Sequence, residues 1–275
     1  MKDREEHFGG TGANVARIAA TLGVKTALAS YVGADFPKAF MDALRKSGVD
    51  TTDVVKVRGK RTPFIIMISD KEHNQIGFVD QGAVLEQERL PIRTHTIETA
   101  KFVHIGTGRP SYALKVAKHA KKKKRTVCFD PAQELSYVYT PDSFKAVIEN
   151  CDILFANTTE LELAKTYLNL KEDVELLSYV NMLVNTRGGE GSRILTEDDE
   201  IIVGTIQPDK VIDTTGAGDG FRAGFYAGLE RSLSLEECAW VGASTASFVV
   251  EGIGAQSSLP SWDMVQRRAA RRKCV

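Results

Sequence analysis

The run Val211-Ile212-Asp213-Thr214-Thr215-Gly216-Ala217-Gly218-Asp219-Gly220-Phe221 holds residue types that can do chemistry. An apolar lead-in ends in Asp-Thr-Thr, a Gly-Ala-Gly turn follows, and a helix of small residues starts with Asp219 in its first turn. Glycines allow a sharp turn and a close approach of the backbone to a ligand. The unpaired N–H groups of a helix start point outward, and the helix dipole favours negative charge there. Together these make an anion site with a carboxylate beside it. A carboxylate would repel a bare phosphate. It makes chemical sense as the acceptor of a proton from a hydroxyl that attacks the phosphate. The plain alternative is a helix start with an Asp in its first turn, which is common.

Further stretches carry residues of the same kinds. Gly9-Gly10-Thr11-Gly12-Ala13-Asn14 opens a helix with Val15, Ile18, Ala19 and Leu22 on its apolar face and Gly23 as its C-cap. A dinucleotide fingerprint needs glycine where Val15 stands, and the required preceding strand is absent. The turn is either a glycine-rich helix entry or a way to face Asn14 toward a polyhydroxyl ligand. Asn157 and Glu160 follow an apolar run and read as a helix N-cap with its capping-box partner. Thr186, Gly188 and Gly191 form a glycine-rich turn that says little alone.

The elements that must position these groups follow from periodicity. Residues 26–32 read as a strand and 35–47 as a helix stopped by Gly48. Residues 54–57, 62–69 and 75–79 read as strands, with a polar turn at 70–74. No helix separates them, so the block at 54–80 is expected to be antiparallel. From residue 101 onward, strands at 101–105, 125–129, 152–156 and 182–184 alternate with helices at 111–120, 141–150 and 158–168. Alternation of this kind implies a parallel sheet with helices on both faces and ligand sites at the C-terminal strand ends. His104 to Gly108 and Asp130-Pro131 fall at such ends, although Asp130-Pro131 reads equally as a strand-terminating turn. Helices at 217–232 and 236–250 close the pattern. The small residues Gly242 to Ala246 suit both tight packing and the wall of a pocket for a flat base.

A chain of 275 residues can form one α/β domain with a large core. Lys+Arg and Asp+Glu both number 36, so no global basic field argues for nucleic acid. Cys128, Cys151, Cys238 and Cys274 lie far apart and read as free thiols of a reducing compartment. No apolar run approaches the ~20 residues of a membrane span. A cytoplasmic protein is expected. There is no GxxxxGK[ST] loop, no GxSxG elbow and no clustered histidine set.

Position for position, Asp213-Thr214-Thr215-Gly216-Ala217-Gly218-Asp219 resembles the C-terminal signature of the ribokinase-like carbohydrate kinases, the PfkB family. Gly9, Gly10, Asn14 and Ala16 resemble its N-terminal Gly-Gly-x-x-x-Asn-x-Ala signature. Asn157 and Glu160 match its Asn-x-x-Glu magnesium motif, and Thr186, Gly188 and Gly191 its turn beside the triphosphate. The resemblance implies a single ribokinase-like domain over 1–275, a three-layer α/β sandwich with a mostly parallel central sheet and a small antiparallel β lid within 54–80. It implies ATP-dependent transfer of the γ-phosphoryl group to a hydroxymethyl of a sugar or nucleoside. Asp219 would be the base, with the backbone of Gly216, Ala217 and Gly218 holding the developing charge. Asn157, Thr186, Gly188, Gly191, Ala243 and Ser247 are expected around ATP, and Gly9, Gly10, Asn14 and Asp219 around the acceptor.

Further expectations rest on the same resemblance. Glu160 and Asn157 would organise Mg2+ through water, and Asp213, Thr215, Gly254 and Ser258 would hold a monovalent cation such as K+. The partner is a small molecule, with no nucleic acid or membrane involved, and two copies would pair through the lid. Residues 104–110, 129–135 and 245–251 look most like archaeal nucleoside kinases, which makes a nucleoside a plausible acceptor and leaves a free sugar open. The alternative is a non-catalytic nucleotide- or sugar-binding protein on the same scaffold. Family members begin with a core strand whose Asp grips sugar hydroxyls, whereas residues 1–8 alone precede Gly9. Binding of ATP–magnesium with weak phosphorylation of acceptors is the expectation from that difference.

Overall fold

The computed structural model describes residues 5–69 and 75–271. Helix α1 (Thr11–Thr21) leads to strand β1 (Ser30–Gly33), helix α2 (Lys38–Lys46) and strand β2 (Val54–Val57). Strands β3 (Phe64–Ser69) and β4 (Gln75–Asp80) follow. Then come β5 (Phe102–Ile105), α3 (Pro110–Lys122), β6 (Thr126–Phe129), α4 (Pro141–Ile148), β7 (Ile153–Asn157), α5 (Thr158–Leu168) and β8 (Met182–Thr186). The chain continues with β9 (Ser192–Thr196), β10 (Glu200–Val203), α6 (Ala217–Glu230), α7 (Leu235–Val249) and α8 (Trp262–Ala269).

Side-chain alternation along the strands decides the layers. Phe129, Leu154, Ala156 and Leu183 enter one core with Ala117, Phe144 and Leu161 of α3, α4 and α5. Cys128, Ile153, Phe155 and Val184 enter the other with Val15, Ile18, Phe221 and Ala239 of α1, α6 and α7. Strand neighbours point to opposite faces, so both faces need a helical cover. The six strands lie in the order β10-β9-β8-β7-β6-β5. β5 to β8 are parallel, and β9 and β10 extend the sheet antiparallel. Fully buried Phe129 and Phe155 each contribute about 1.5–3 kcal/mol by leaving water.

Helix α6 lies hard against α7. A Cβ at Gly224 would come within 2.4 Å of the Thr245 hydroxyl, so only glycine permits this approach. The helix that carries Asp219 in its first turn is therefore held by a close neighbour.

The region before β5 departs from the sequence reading. β2 is not part of an antiparallel block; it pairs parallel with β1, from Ser30↔Val54 to Gly33↔Val57. Helix α2 supplies the crossover that a parallel pair requires. The antiparallel lid is β3 with β4 alone, from Phe64↔Asp80 to Ser69↔Gln75. The polar turn expected at 70–74 lies outside the described residues, as does Cys274. The strand expected at 26–32 shortens to β1, preceded by an isolated parallel bridge from Ala27 to Asp50. Among the described residues no strand joins β1 to β5, and the two sheets wall a common cleft. Helix α8 was not anticipated; Ser261 caps it and Val265 anchors it in a small core with Leu22 and Phe248. No described helix is long and apolar enough to cross a membrane.

Candidate active site

The start of α6 has the geometry of an anion site. Gly216 is its N-cap at φ 80°, and no side chain caps the turn. A Cβ at Gly216 would lie 2.2 Å from that of Ala255, so both conformation and space demand glycine. The Ala217 N–H is donated to Thr214 O at 3.1 Å. The Ala217 amide is thus engaged in the turn, while the Gly218 and Asp219 amides lie in the first turn of the helix, where N–H groups lack intrahelical partners.

Asp219 is buried beside this turn, and Asn14 Nδ2 donates to its Oδ2 at 2.7 Å. Burial pushes the Asp219 carboxyl up to about 7, and Asp130 acts in the same direction. The Asn14 hydrogen bond and the Arg222 guanidinium pull the other way. A carboxylate that titrates near neutrality suits a general base, because it is available as base and still takes a proton effectively.

One turn along α6, Arg222 is enclosed among Asp130, Asp219 and Glu160. Its Nη2 donates to Asp130 Oδ1 at 2.8 Å, and Nε closes the ion pair with Oδ2. Its guanidinium also lies 5.6 Å from the Phe155 ring centroid. His104 stands nearby, with Nδ1 at 2.9 Å from the Tyr226 hydroxyl and Nε2 at 3.9 Å from Asp130. Burial drops the His104 pKa to about 4, against the pull of Asp130, so the imidazole is neutral at pH 7. Among the described residues Arg222 is then the one cation facing three acidic side chains, and the cluster carries surplus negative charge.

That surplus fits a divalent cation held through oxygen and water. Among the described residues no group of His, Cys, Asp and Glu side chains forms a full metal-binding set. Asn157 and Glu160 form a complete capping box: Glu160 N donates to Asn157 Oδ1 at 2.9 Å, and Asn157 N donates to Glu160 Oε2 at 2.8 Å. Burial and Asp130 raise the Glu160 pKa, against the Asn157 N–H and Arg222. Both residues border the cleft.

Of the remaining expected residues, all but Ser258 lie along one cleft of about 2840 Å³. A single small-molecule site typically takes about 300–1,000 Å³, so the volume leaves room for two ligands. Gly9, Gly10 and Asn14 line it, and Thr11 bonds Thr107 across it at 2.9 Å. Thr186, Gly188 and Gly191 line it at the end of β8, in a turn closed by Arg187 N to Gly191 O at 2.8 Å. Ala243 and Ser247 line it from α7. The Ser247 hydroxyl, however, donates to Ser244 O and accepts from Arg268, which commits it to the fold.

Asp213 ties two segments of the site together. Burial favours its neutral form, but N–H bonds from Thr215 (2.9 Å) and Gly254 (2.8 Å) outweigh that and hold the carboxyl below its usual value. Asp213, Thr215 and Gly254 are thus brought together. Ser258 packs near Gly252 and does not line the cleft.

Sequence reasoning passed over Arg222, Gln256 and Arg17. A lone arginine inside a helix of small residues was the available signal for Arg222. Gln256 and Arg17 gave none, because their partners lie far away in the chain.

The model of the pfkB family carbohydrate kinases matches residues 1–262. The nucleoside kinase of Methanocaldococcus jannaschii is 38% identical over 264 residues, covering 96% of this chain and 85% of its own. The cytidine kinase of Thermococcus kodakarensis is 32% identical over 251 residues, covering 90% and 88%. The crystal structure of the M. jannaschii nucleoside kinase, an archaeal member of the ribokinase family, superposes with a TM-score of 0.91 over 99% of this chain and 89% of that one, at 36% identity.

Proposed function

Because the chain belongs to the pfkB family of carbohydrate kinases, we propose that this ATP-dependent kinase phosphorylates the hydroxymethyl group of a nucleoside, with Asp219 as the base. The observation that carries the assignment of the base is a buried carboxylate titrating near 7 beside uncapped helix amides. Asp219 takes the proton of the attacking hydroxyl as its oxygen bonds to the γ-phosphorus. The bond from that phosphorus to the β-phosphate oxygen breaks, and ADP leaves. The amides at the start of α6 hold the charge on the moving phosphoryl group, where preorganised donors act most strongly. Magnesium bound with ATP supplies neutralisation of the phosphates, and Glu160 with Asn157 would hold it through water. Gly9, Gly10 and Asn14 face the acceptor, and Thr186, Gly188 and Gly191 flank the triphosphate.

The archaeal nucleoside and cytidine kinases among its relatives support a nucleoside over a free sugar. Asp213, Thr215 and Gly254 support a monovalent cation such as K+ beside the anion turn. The exposed apolar faces of β3 and β4 support a homodimer through the lid. Three free, buried cysteines support a cytoplasmic setting. ADP release with ATP–magnesium and a panel of nucleosides and sugars tests the acceptor. Turnover with a nucleoside at least tenfold above any free sugar is expected, and the reverse ranking rejects the nucleoside. No observation favours the non-catalytic alternative.

A further inference from the structure

A directional chain of hydrogen bonds ends on Asp219. Arg17 Nη1 donates to Gln256 Oε1 at 2.9 Å, Gln256 Nε2 donates to Asn14 Oδ1 at 2.7 Å, and Asn14 Nδ2 donates to Asp219 Oδ2 at 2.7 Å. A guanidinium has donors only, and an ionised carboxylate has acceptors only. With Arg17 at one end, the Gln256 oxygen must face it and the Gln256 amide nitrogen must face Asn14. The Asn14 oxygen is then occupied, and its nitrogen must face the carboxylate. Reversing either amide would set donor against donor or oxygen against oxygen inside a buried site. Asn14 and Gln256 are both at most 8% exposed, where such a mismatch is costly.

We propose that Gln256 is a positioning residue for the base: it locks the amide of Asn14 so that Asn14 donates to Asp219 Oδ2 and leaves Oδ1 to take the proton of the acceptor hydroxyl. This rests on the reading of Asp219 as base. Gln256 lies in the loop after α7 whose Ala255 packs beneath Gly216 and whose Gly254 N–H bonds Asp213. The same loop therefore supports the anion turn with its backbone and orients the base with a side chain. Disturbing it should slow the chemical step without loosening ATP.

The charged groups facing Asp219 are Arg222 on α6 and Asp130 after β6, while α1 and the loop offer it only an amide relay. The test compares Gln256→Leu, Gln256→Glu and Arg17→Met with the parent and with Asp219→Asn, reading kcat, the KM for ATP and the pH profile of kcat. Gln256→Leu removes both bonds of Gln256. Gln256→Glu still accepts from Arg17 but has no N–H for Asn14. Both should lower kcat about tenfold, as expected for one lost buried hydrogen bond, with an unchanged KM for ATP. The acidic limb should move up by about one pH unit, since the carboxylate loses a reliable donor. Arg17→Met, at a half-buried position, should shift it the same way by less. Parent-like kcat and acidic limb in both Gln256 variants, with Asp219→Asn inactive, would overturn the relay alone. Substantial turnover in Asp219→Asn would overturn the reading of the base instead. Should Gln256→Leu fail to fold, a parent-like profile in Gln256→Glu and Arg17→Met overturns the relay equally.

Discussion

Asp219 and Ile66 line the same cleft, yet the first is 8% exposed and the second 51%. At the start of α6 polar side chains meet partners on other elements: Asn14 with Asp219, Arg222 with Asp130, Asp213 with Gly254. Among the described residues, the lid strands β3 and β4 form a sheet of their own, and Ile65, Ile66, Ile68, Ile76 and Phe78 are all at least half exposed. An isolated two-stranded hairpin is marginal in water and needs something to cover its apolar face. The difference teaches that the end around Asp219 is already held by its own side-chain contacts. On the proposed reading, that end transfers the phosphoryl group and the lid end is completed by closure over the acceptor or by a second copy. Catalysis by positioned charge requires the first, and entry of an acceptor requires the second.

The sharpest way to break this contrast is at the base. Asp219→Asn should cut turnover roughly 10²–10⁴-fold with ATP affinity nearly unchanged, in steady-state kinetics beside calorimetric binding. The same substitution should alter stability with the opposite sign. The folded pKa of about 7 exceeds the ordinary carboxylate value of 3.8, so the folded state keeps a proton that the unfolded chain releases. The stability contributed by Asp219 is full below about pH 4 and is lost as pH rises to about 7. Asp219→Asn should therefore melt higher than the parent at pH 8 and match it at pH 4.

Arg222→Met should cost about 3–5 kcal/mol of stability, because it strands buried Asp130 without its cation. Denaturant unfolding measures this, and a loss under 1 kcal/mol would contradict a preorganised cluster. It should also move the acidic limb of kcat upward, since Arg222 pulls the Asp219 pKa down.

Glu160→Gln separates cap from metal. Glutamine at this position still completes a capping box, so the melting temperature should stay within a degree or two. The magnesium concentration for half-maximal rate should rise several-fold. An unchanged magnesium curve would leave Glu160 as a cap only.

The smallest effect belongs to the lid. Ile66 and Phe78 sit opposite each other in the hairpin, so Ile66→Lys with Phe78→Lys places like charges on its apolar face. A dimer in the parent and a monomer in the variant are expected by sedimentation, with the KM for the acceptor raised a few-fold and ATP binding intact. A monomeric parent would leave ligand closure as the lid's only cover.

Much of this site was legible because its signals are local. The turn from Asp213 to Asp219 and the cap at Asn157 and Glu160 are built from adjacent residues, and the structure keeps their local forms. Strand alternation likewise announced the parallel sheet from β5 to β8. The pairing of β2 was misread because the same short apolar run suits either partner, and only the crossover through α2 selected β1. The hydrogen bonds that Ser247 and Ala217 already make within the fold were not legible, because a residue type does not reveal which partners its atoms meet.

By itself the sequence determined the family, the glycine turn at 216–218 and the carboxylate beside it, since each depends on residues a few positions apart. Tertiary structure alone decided that Asp219 titrates near 7, that Arg222 serves three carboxylates, and that Arg17 reaches Asp219 through Gln256 and Asn14. Burial and the polarity of an amide chain are set by groups up to 242 positions apart, and packing is what brings them within reach of one another.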